Sequence, residues 1–161
     1  MPTDISRKPN LKMNLNQMPP ILFARAFRLW FDKRIKFPKD VIDTIISEEE
    51  DYKVFRKVIV LQKDYSIKSP SAIFKVKFQF AKFTFATNKR LSLIPIPLII
   101  AQPGFISKTW LLGLKTGCFQ GYYEWESLEA ANNYENSFPF KMMKKRAKLD
   151  SIDIHIQSII G

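Results

Sequence analysis

Residues 72–83 read AIFKVKFQFAKF. Phe74, Val76, Phe78 and Phe80 fall at every second position, and Lys75, Lys77 and Gln79 fall between them. In an extended chain, successive side chains point to opposite faces, so this pattern specifies a strand with one buried and one polar face. Toward the C-terminus, Ile152, Ile154 and Ile156 alternate with Asp153, His155 and Gln157 in the same way. Both strands thus need an apolar layer laid over one side of a sheet.

The chain between these strands supplies that layer. Residues 88–110, NKRLSLIPIPLIIAQPGFISKTW, contain a long uncharged run. The run is too short for a bilayer span, and Pro95 and Pro97 interrupt it. Its expected form is a first short helical turn region over 88–94, an extended Ile-Pro-Ile-Pro step, and a second short helix starting at Pro97. Pro103-Gly104 ends that helix. Two strands then follow, 105–112 and 118–125, joined by the turn GLKTG. Ser127 is placed to cap a helix, SLEAANNYENS, with Glu129 in its first turn. A further helix starts after Ser137 with Pro139 near its first turn. The order from residue 72 is β-α-β-β-α-β, which is the ferredoxin-like α+β arrangement: an antiparallel sheet with its helices on one face.

That arrangement divides residues 71–161 from an N-terminal extension, 1–70. Residues 1–18 are polar and read as a mobile leader, unlike a secretory signal. An amphipathic helix is expected over about 20–33, with Arg25, Arg28, Asp32 and Ile21 on one narrow sector and an unusually wide apolar face. It could dock on the domain or lie on a membrane surface, with the cluster Lys33, Arg34, Lys36 and Lys39 beside it. The acidic run within FPKDVIDTIISEEEDY reads as a solvated turn or helix end. VFRKVIVLQ, 54–62, reads as a short strand.

The chain has 161 residues, a formal charge of +11, one cysteine and one histidine. The apolar content, 46%, suffices for a packed core. A lone Cys118 forms no intramolecular disulfide, and one Cys with one His argues against a structural zinc site. The basic charge is spread over both halves. It favours anionic partners, but there is no nucleic-acid motif, phosphate loop, dinucleotide fingerprint or hydrolase triad pattern. No cofactor or metal is expected.

The face assignment of the central hairpin decides the candidate site. Tyr123 and Trp125 are expected toward the helices, which sends Gln120, Tyr122 and Glu124 to the second face. Lys108 and Trp110 are expected on that second face as well, with Thr109 and Leu111 inward. A one-residue slip would exchange each set. On this reading Lys108, Trp110, Tyr122 and Glu124 form a substrate-binding surface. Trp110 and Tyr122 would stack an aromatic ligand, and Lys108 would meet an anion or pair with Glu124. His155 is the candidate base or haem ligand.

The run PGFISKTWLL…TGCFQGYYEWESLEAANNY resembles the mono-oxygenase branch (YdhR-type, antibiotic-biosynthesis-monooxygenase-like) of the dimeric α+β barrel superfamily. The resemblance is carried by Pro103, Gly104, Lys108 and Trp110, then Thr116 and Gly117, then Gly121, Tyr123 and Trp125. It ends in the helix with Glu129, Ala130, Ala131 and Tyr134. It covers roughly 72–160 and implies a homodimer with facing sheets and a pocket between sheet and helices or within the barrel. Relatives include cofactor-independent oxygenases of aromatic polyketide-like substrates and haem-degrading enzymes. Two functions are therefore expected as alternatives. One is a cofactor-independent mono-oxygenase acting on a small aromatic or polyketide-like molecule. The other is a non-catalytic ligand-binding or peripheral membrane-associated dimeric module. Either fits a cytoplasmic protein, peripheral to a membrane if residues 20–36 touch one.

Overall fold

The computed structural model describes residues 15–159. Most of the expected leader, 1–14, lies outside the described residues; Leu15–Gln17 form a single 3₁₀ turn. Helix α1 follows over Pro19–Phe31, opened by prolines whose missing amide donors cost nothing in a first turn. Two very short strands, β1 (Ile35–Lys36) and β2 (Ile45–Ser47), precede the long strand β3 (Asp51–Val60). Then come β4 (Ala72–Phe78), α2 (Phe85–Leu91), α3 (Ile96–Ile100), β5 (Phe105–Gly113) and β6 (Phe119–Trp125). The chain continues through α4 (Leu128–Glu135), α5 (Phe138–Arg146) and β7 (Asp153–Ser158).

The sheet runs β1-β3-β5-β6-β4-β7 and every pairing is antiparallel. Its part β5-β6-β4-β7 is the ferredoxin-like order, with the unit's third and fourth strands on either side of its first and the second beyond the third. The strand of the extension, β3, is hydrogen-bonded along β5 and widens this sheet. The expected Ser127 cap is present, its Oγ accepting from Ala130 N at 3.0 Å, and Ser137, after which a helix was expected, caps it through Oγ, accepting from Phe140 N at 3.4 Å.

The core lies between the sheet and the helices. Phe74 is fully buried there, edge-on to Tyr123, Tyr134 and Phe140 with ring centroids 5.5, 5.3 and 5.2 Å apart. Edge-to-face geometry adds to the apolar burial, because ring edges are positive and faces negative. Gly104 turns the chain into β5 at φ +81°, and a Cβ there would come within 2.7 Å of Ala130 Cβ. Only glycine meets both conditions.

One expectation for local structure is corrected. The Ile-Pro-Ile-Pro step is not extended. Pro95 has φ −79° and ψ −5°, and its carbonyl accepts from Leu98 N and Ile99 N, so it caps α3 directly. Ile94, before Pro95, lies in a turn, and Ile96, before Pro97, is helical despite the disfavour, within the first turn of α3. Of the two forms expected for the acidic run, a solvated turn or a helix end, it takes the exposed turn, between β2 and β3. Strand β2 folds back along β3, and the run straps the second face of the sheet. Glu48 pairs with Lys75 at 2.8 Å, and Glu49 with Lys77. The Glu50 carboxylate accepts from Lys115 N, Thr116 N and Thr116 Oγ1 and so pins the β5–β6 turn. Lys77, and then the Tyr52 hydroxyl, hold the Glu49 carboxyl down to about 2. Beneath the strap, Tyr52, Val54 and Leu111 form a second small core with Val41, Ile42 and Tyr122.

A cationic cavity between the helices and the sheet

The decisive local feature is a bulge at the start of β5. Phe105 pairs with Trp125 and Ser107 with Glu124, so one extra residue, Ile106, stands between them. Counting every second residue from Phe105 would send Thr109 and Leu111 toward the helices. The bulge reverses that count. Lys108 pairs with Tyr123 and Trp110 with Gly121, and both side chains lie on the helix face. This corrects the expectation that Lys108 and Trp110 share the second face with Tyr122 and Glu124. The expected direction of Tyr123 and Trp125 holds.

The five sequence candidates are therefore split between two sides. Glu124 lies on the second face and accepts a 2.6 Å hydrogen bond from Ser107 Oγ. Tyr122 lies there under the strap. His155 is exposed on the edge strand β7, and its Nε2 lies 3.2 Å from the Asp153 carboxylate. Its pairing position is opposite Lys75, so no imidazole of this chain reaches the helix side.

On the helix side there is a cavity of about 310 Å³. Its walls are Phe78, Phe80, Trp110 and Tyr123 from the sheet, Ile99 from α3, and Met142 with Met143 from α5. The volume and the apolar lining match a small-molecule site. Lys108 reaches into it and is only 7% exposed. Its Nζ lies 4.3 Å from the Trp110 ring centroid and 4.5 Å from that of Tyr123. It has no carboxylate partner and no hydrogen bond among the described residues. Burial, and then the charge of Arg56, push the Lys108 amine well below its ordinary value. Two π faces recover only part of the hydration that an ammonium loses.

Arg56, on β3, lies behind Trp110 without lining the cavity and donates to Ser92 Oγ and, at 3.0 Å, to the Lys89 carbonyl. Its plane approaches the Trp110 ring at 5.5 Å. Arg146 lines the other end of the cavity, and no Asp or Glu lines it among the described residues. The Tyr134 hydroxyl donates to that of Tyr123 at 3.0 Å inside the core, and burial raises both phenols. The site therefore offers an apolar slot, two tyrosine hydroxyls and uncompensated positive charge. Arg56 was not singled out from sequence; Tyr134 was named only as part of the family resemblance, and Met143 reads from sequence as core filler. Gly121 carried the available signal. A glycine inside a strand marks a close approach, and a Cβ there would meet Tyr123 Cε2 at 2.7 Å and Lys108 Cε at 3.4 Å.

The mouth is framed by Phe83, Ile94 and Pro95. Phe83 has φ 73°, a left-handed conformation costly for a bulky residue. Asn88 holds it there: its Nδ2 donates to the Lys82 and Phe83 carbonyls at 3.0 and 3.4 Å, while its Oδ1 accepts from Arg146 at 2.8 Å. Asn88→Ala is expected to lower stability by about 1–3 kcal/mol, because the buried Asn88 amide loses its bonds to three partners. Denaturant unfolding reads the loss, and faster amide exchange over 81–85 localises it.

No family model and no curated protein matches the chain. Solved structures do match it. One is an uncharacterized ferredoxin-fold protein related to antibiotic biosynthesis monooxygenases, from Listeria monocytogenes. It is 11% identical, with a TM-score of 0.57 over 73% of this chain and 69% of that one. A heme-degrading enzyme from the same species is 11% identical, with a TM-score of 0.53 over 71% and 74%. A monooxygenase-like protein from Listeria innocua is 14% identical, with a TM-score of 0.53 over 71% and 67%. At such identities the likeness is one of fold, and that fold is the ferredoxin-like α+β arrangement expected from the strand order. The first of these neighbours is itself described as related to the antibiotic biosynthesis monooxygenases that the sequence resembles. Among the described residues, no helix is long and apolar enough to cross a membrane.

Proposed function

We propose that the helix-side cavity binds a small, flat, largely apolar molecule bearing an acidic or anionic oxygen, and that the protein is a cofactor-independent mono-oxygenase of such a molecule. The observation that carries this reading is Lys108: a buried amine without a counter-ion, facing an aromatic-walled cavity that contains no carboxylate. An anionic ligand would supply the missing charge, and Trp110 and Tyr123 would stack its rings.

A lysine with a lowered pKa gives up its proton more readily, and its neutral form can accept one from a bound substrate. In the proposed reaction Lys108 takes one proton from an activated CH₂ flanked by aromatic or carbonyl groups. The resulting delocalised carbanion reduces dioxygen, and recombination gives a peroxide anion. Protonation by Lys108 and loss of water leave a carbonyl. The sum is CH₂ + O₂ → C=O + H₂O. Arg146, which lines the cavity, stabilises the anionic intermediate, and the apolar walls keep water away from it.

The test is oxygen uptake with anthrone- and quinol-like substrates, with ¹⁸O₂ incorporation read by mass spectrometry. One ¹⁸O per product supports the reaction. Quenching of protein fluorescence by these compounds without oxygen uptake would leave the second expectation, a ligand-binding module without catalysis. No binding by aromatic phenols, enols or carboxylates would remove the cavity reading itself.

A further inference from the structure

Helix α1 has two apolar faces. Leu22 and Ala26, with the half-buried Leu29 beside them, turn inward, where α1 packs on α3. Arg25 Nη1 donates to the Ala101 carbonyl at 2.9 Å and fastens the helix to the end of α3. At 100° per residue, Phe23, Phe27, Trp30 and Phe31 share a second sector, about a quarter turn or more from the first. Their exposures are 51%, 64%, 67% and 72%. Phe27 touches both Trp30 and Phe31, with centroids 6.0 and 6.5 Å apart, so these three rings form one continuous surface. A patch of this kind on an otherwise satisfied helix marks an interaction site.

The charges around it indicate the partner. At the C-terminal end of α1, Arg28, Arg34 and Lys63 line a polar groove with Asp32 and Tyr65. Lys33, Lys36 and Lys39 follow on exposed positions. Aromatic rings set beside a band of lysine and arginine match the boundary between acyl chains and anionic headgroups. There the rings enter the interface and the cations meet phosphate.

We propose that the outer face of α1 and this basic groove dock the protein on an anionic lipid surface, with Phe27, Trp30 and Phe31 as the inserted side chains. The inference is independent of the cavity's chemistry. It does bear on ligand supply, because α3, on which α1 packs, is also a wall of the cavity.

The full chain is tested by co-sedimentation with phosphatidylcholine vesicles with and without phosphatidylglycerol. The expected result is binding that needs the anionic lipid and weakens as salt rises. Trp30 reports insertion directly, because Trp110 and Trp125 are buried. Its emission should shift to the blue and be quenched by lipids carrying a spin label near the headgroup. Phe27→Ser with Phe31→Ser is expected to weaken partitioning about tenfold or more, with an unchanged melting curve because both residues are exposed. Arg28→Gln with Lys33→Gln and Lys63→Gln should remove most of the dependence on anionic lipid. Three results would overturn the proposal. The first is no sedimentation with anionic vesicles at low salt. The second is sedimentation with unchanged Trp30 emission. The third is self-association of the wild type that the double serine variant abolishes, which would assign the face to a second copy of the chain.

Discussion

Lys108→Met is expected to make the protein more resistant to denaturant at neutral pH while removing its affinity for acidic ligands. Methionine fills nearly the same volume between Trp110 and Tyr123 and carries no charge to desolvate. Replacing a buried charge by an apolar residue of similar size is often stabilising, here by about 1–3 kcal/mol. The same substitution removes the one amine facing the cavity, so binding of an anionic aromatic ligand should fall by two orders of magnitude or so. A variant that bound such ligands as well as the wild type would contradict the role given to Lys108.

The pH dependence gives an independent reading. The Lys108 amine in the folded chain titrates well below its ordinary value of 10.5. Between the folded and unfolded values the unfolded chain binds more protons. Stability therefore rises with pH across that window, by at most about 1.4 kcal/mol per unit. The penalty of the buried charge is fully present below the folded value and disappears as pH approaches 10.5. Unfolding curves of wild type and Lys108→Met, measured from neutral pH to pH about 10, should converge as pH rises. Parallel curves would mean that Lys108 keeps an ordinary pKa in the folded protein.

Phe74→Ala carries the largest expected loss of stability, about 3–5 kcal/mol by chemical denaturation. Phe74 has no exposed surface, and its ring meets Tyr123 in the sheet, Tyr134 in α4 and Phe140 in α5. Its removal leaves a void where sheet and helices join, and those three rings cannot all move in to fill it. Because Tyr123 and Tyr134 also line the cavity, ligand binding should weaken with it. Phe31→Ala is the matched control. Phe31 is 72% exposed, so its change should stay within about 0.5 kcal/mol in the absence of lipid. Similar losses at the two positions would mean that the core is not where the structure puts it.

The strands at 72–78 and 153–158 were legible because their apolar residues alternate without interruption. Ser127 and Ser137 announced α4 and α5 for an equally local reason: a side-chain oxygen at the cap meets an amide two or three residues on. The site was legible only in its inventory. Lys108 and Trp110 were chosen for their chemistry, and both face the cavity. Tyr122 and Glu124 were grouped with them by an alternation that breaks at Ile106. The strap was missed because nothing near Glu48, Glu49 and Glu50 reveals that Lys75, Lys77 and Thr116 come to meet them.

The sequence by itself determined the elements from residue 72 onward, their order and the ferredoxin-like class, because periodicity, caps and proline act over a few residues along one chain. The tertiary structure decided which face each functional side chain occupies. A bulge belongs to two strands at once, and its position depends on where Phe105 packs against Trp125 rather than on either segment alone. For the same reason only the packed molecule distinguishes the two apolar sides of α1. Leu22 and Ala26 are hidden because α3 lies under them, while Phe27, Trp30 and Phe31, no less apolar, have no element above them among the described residues.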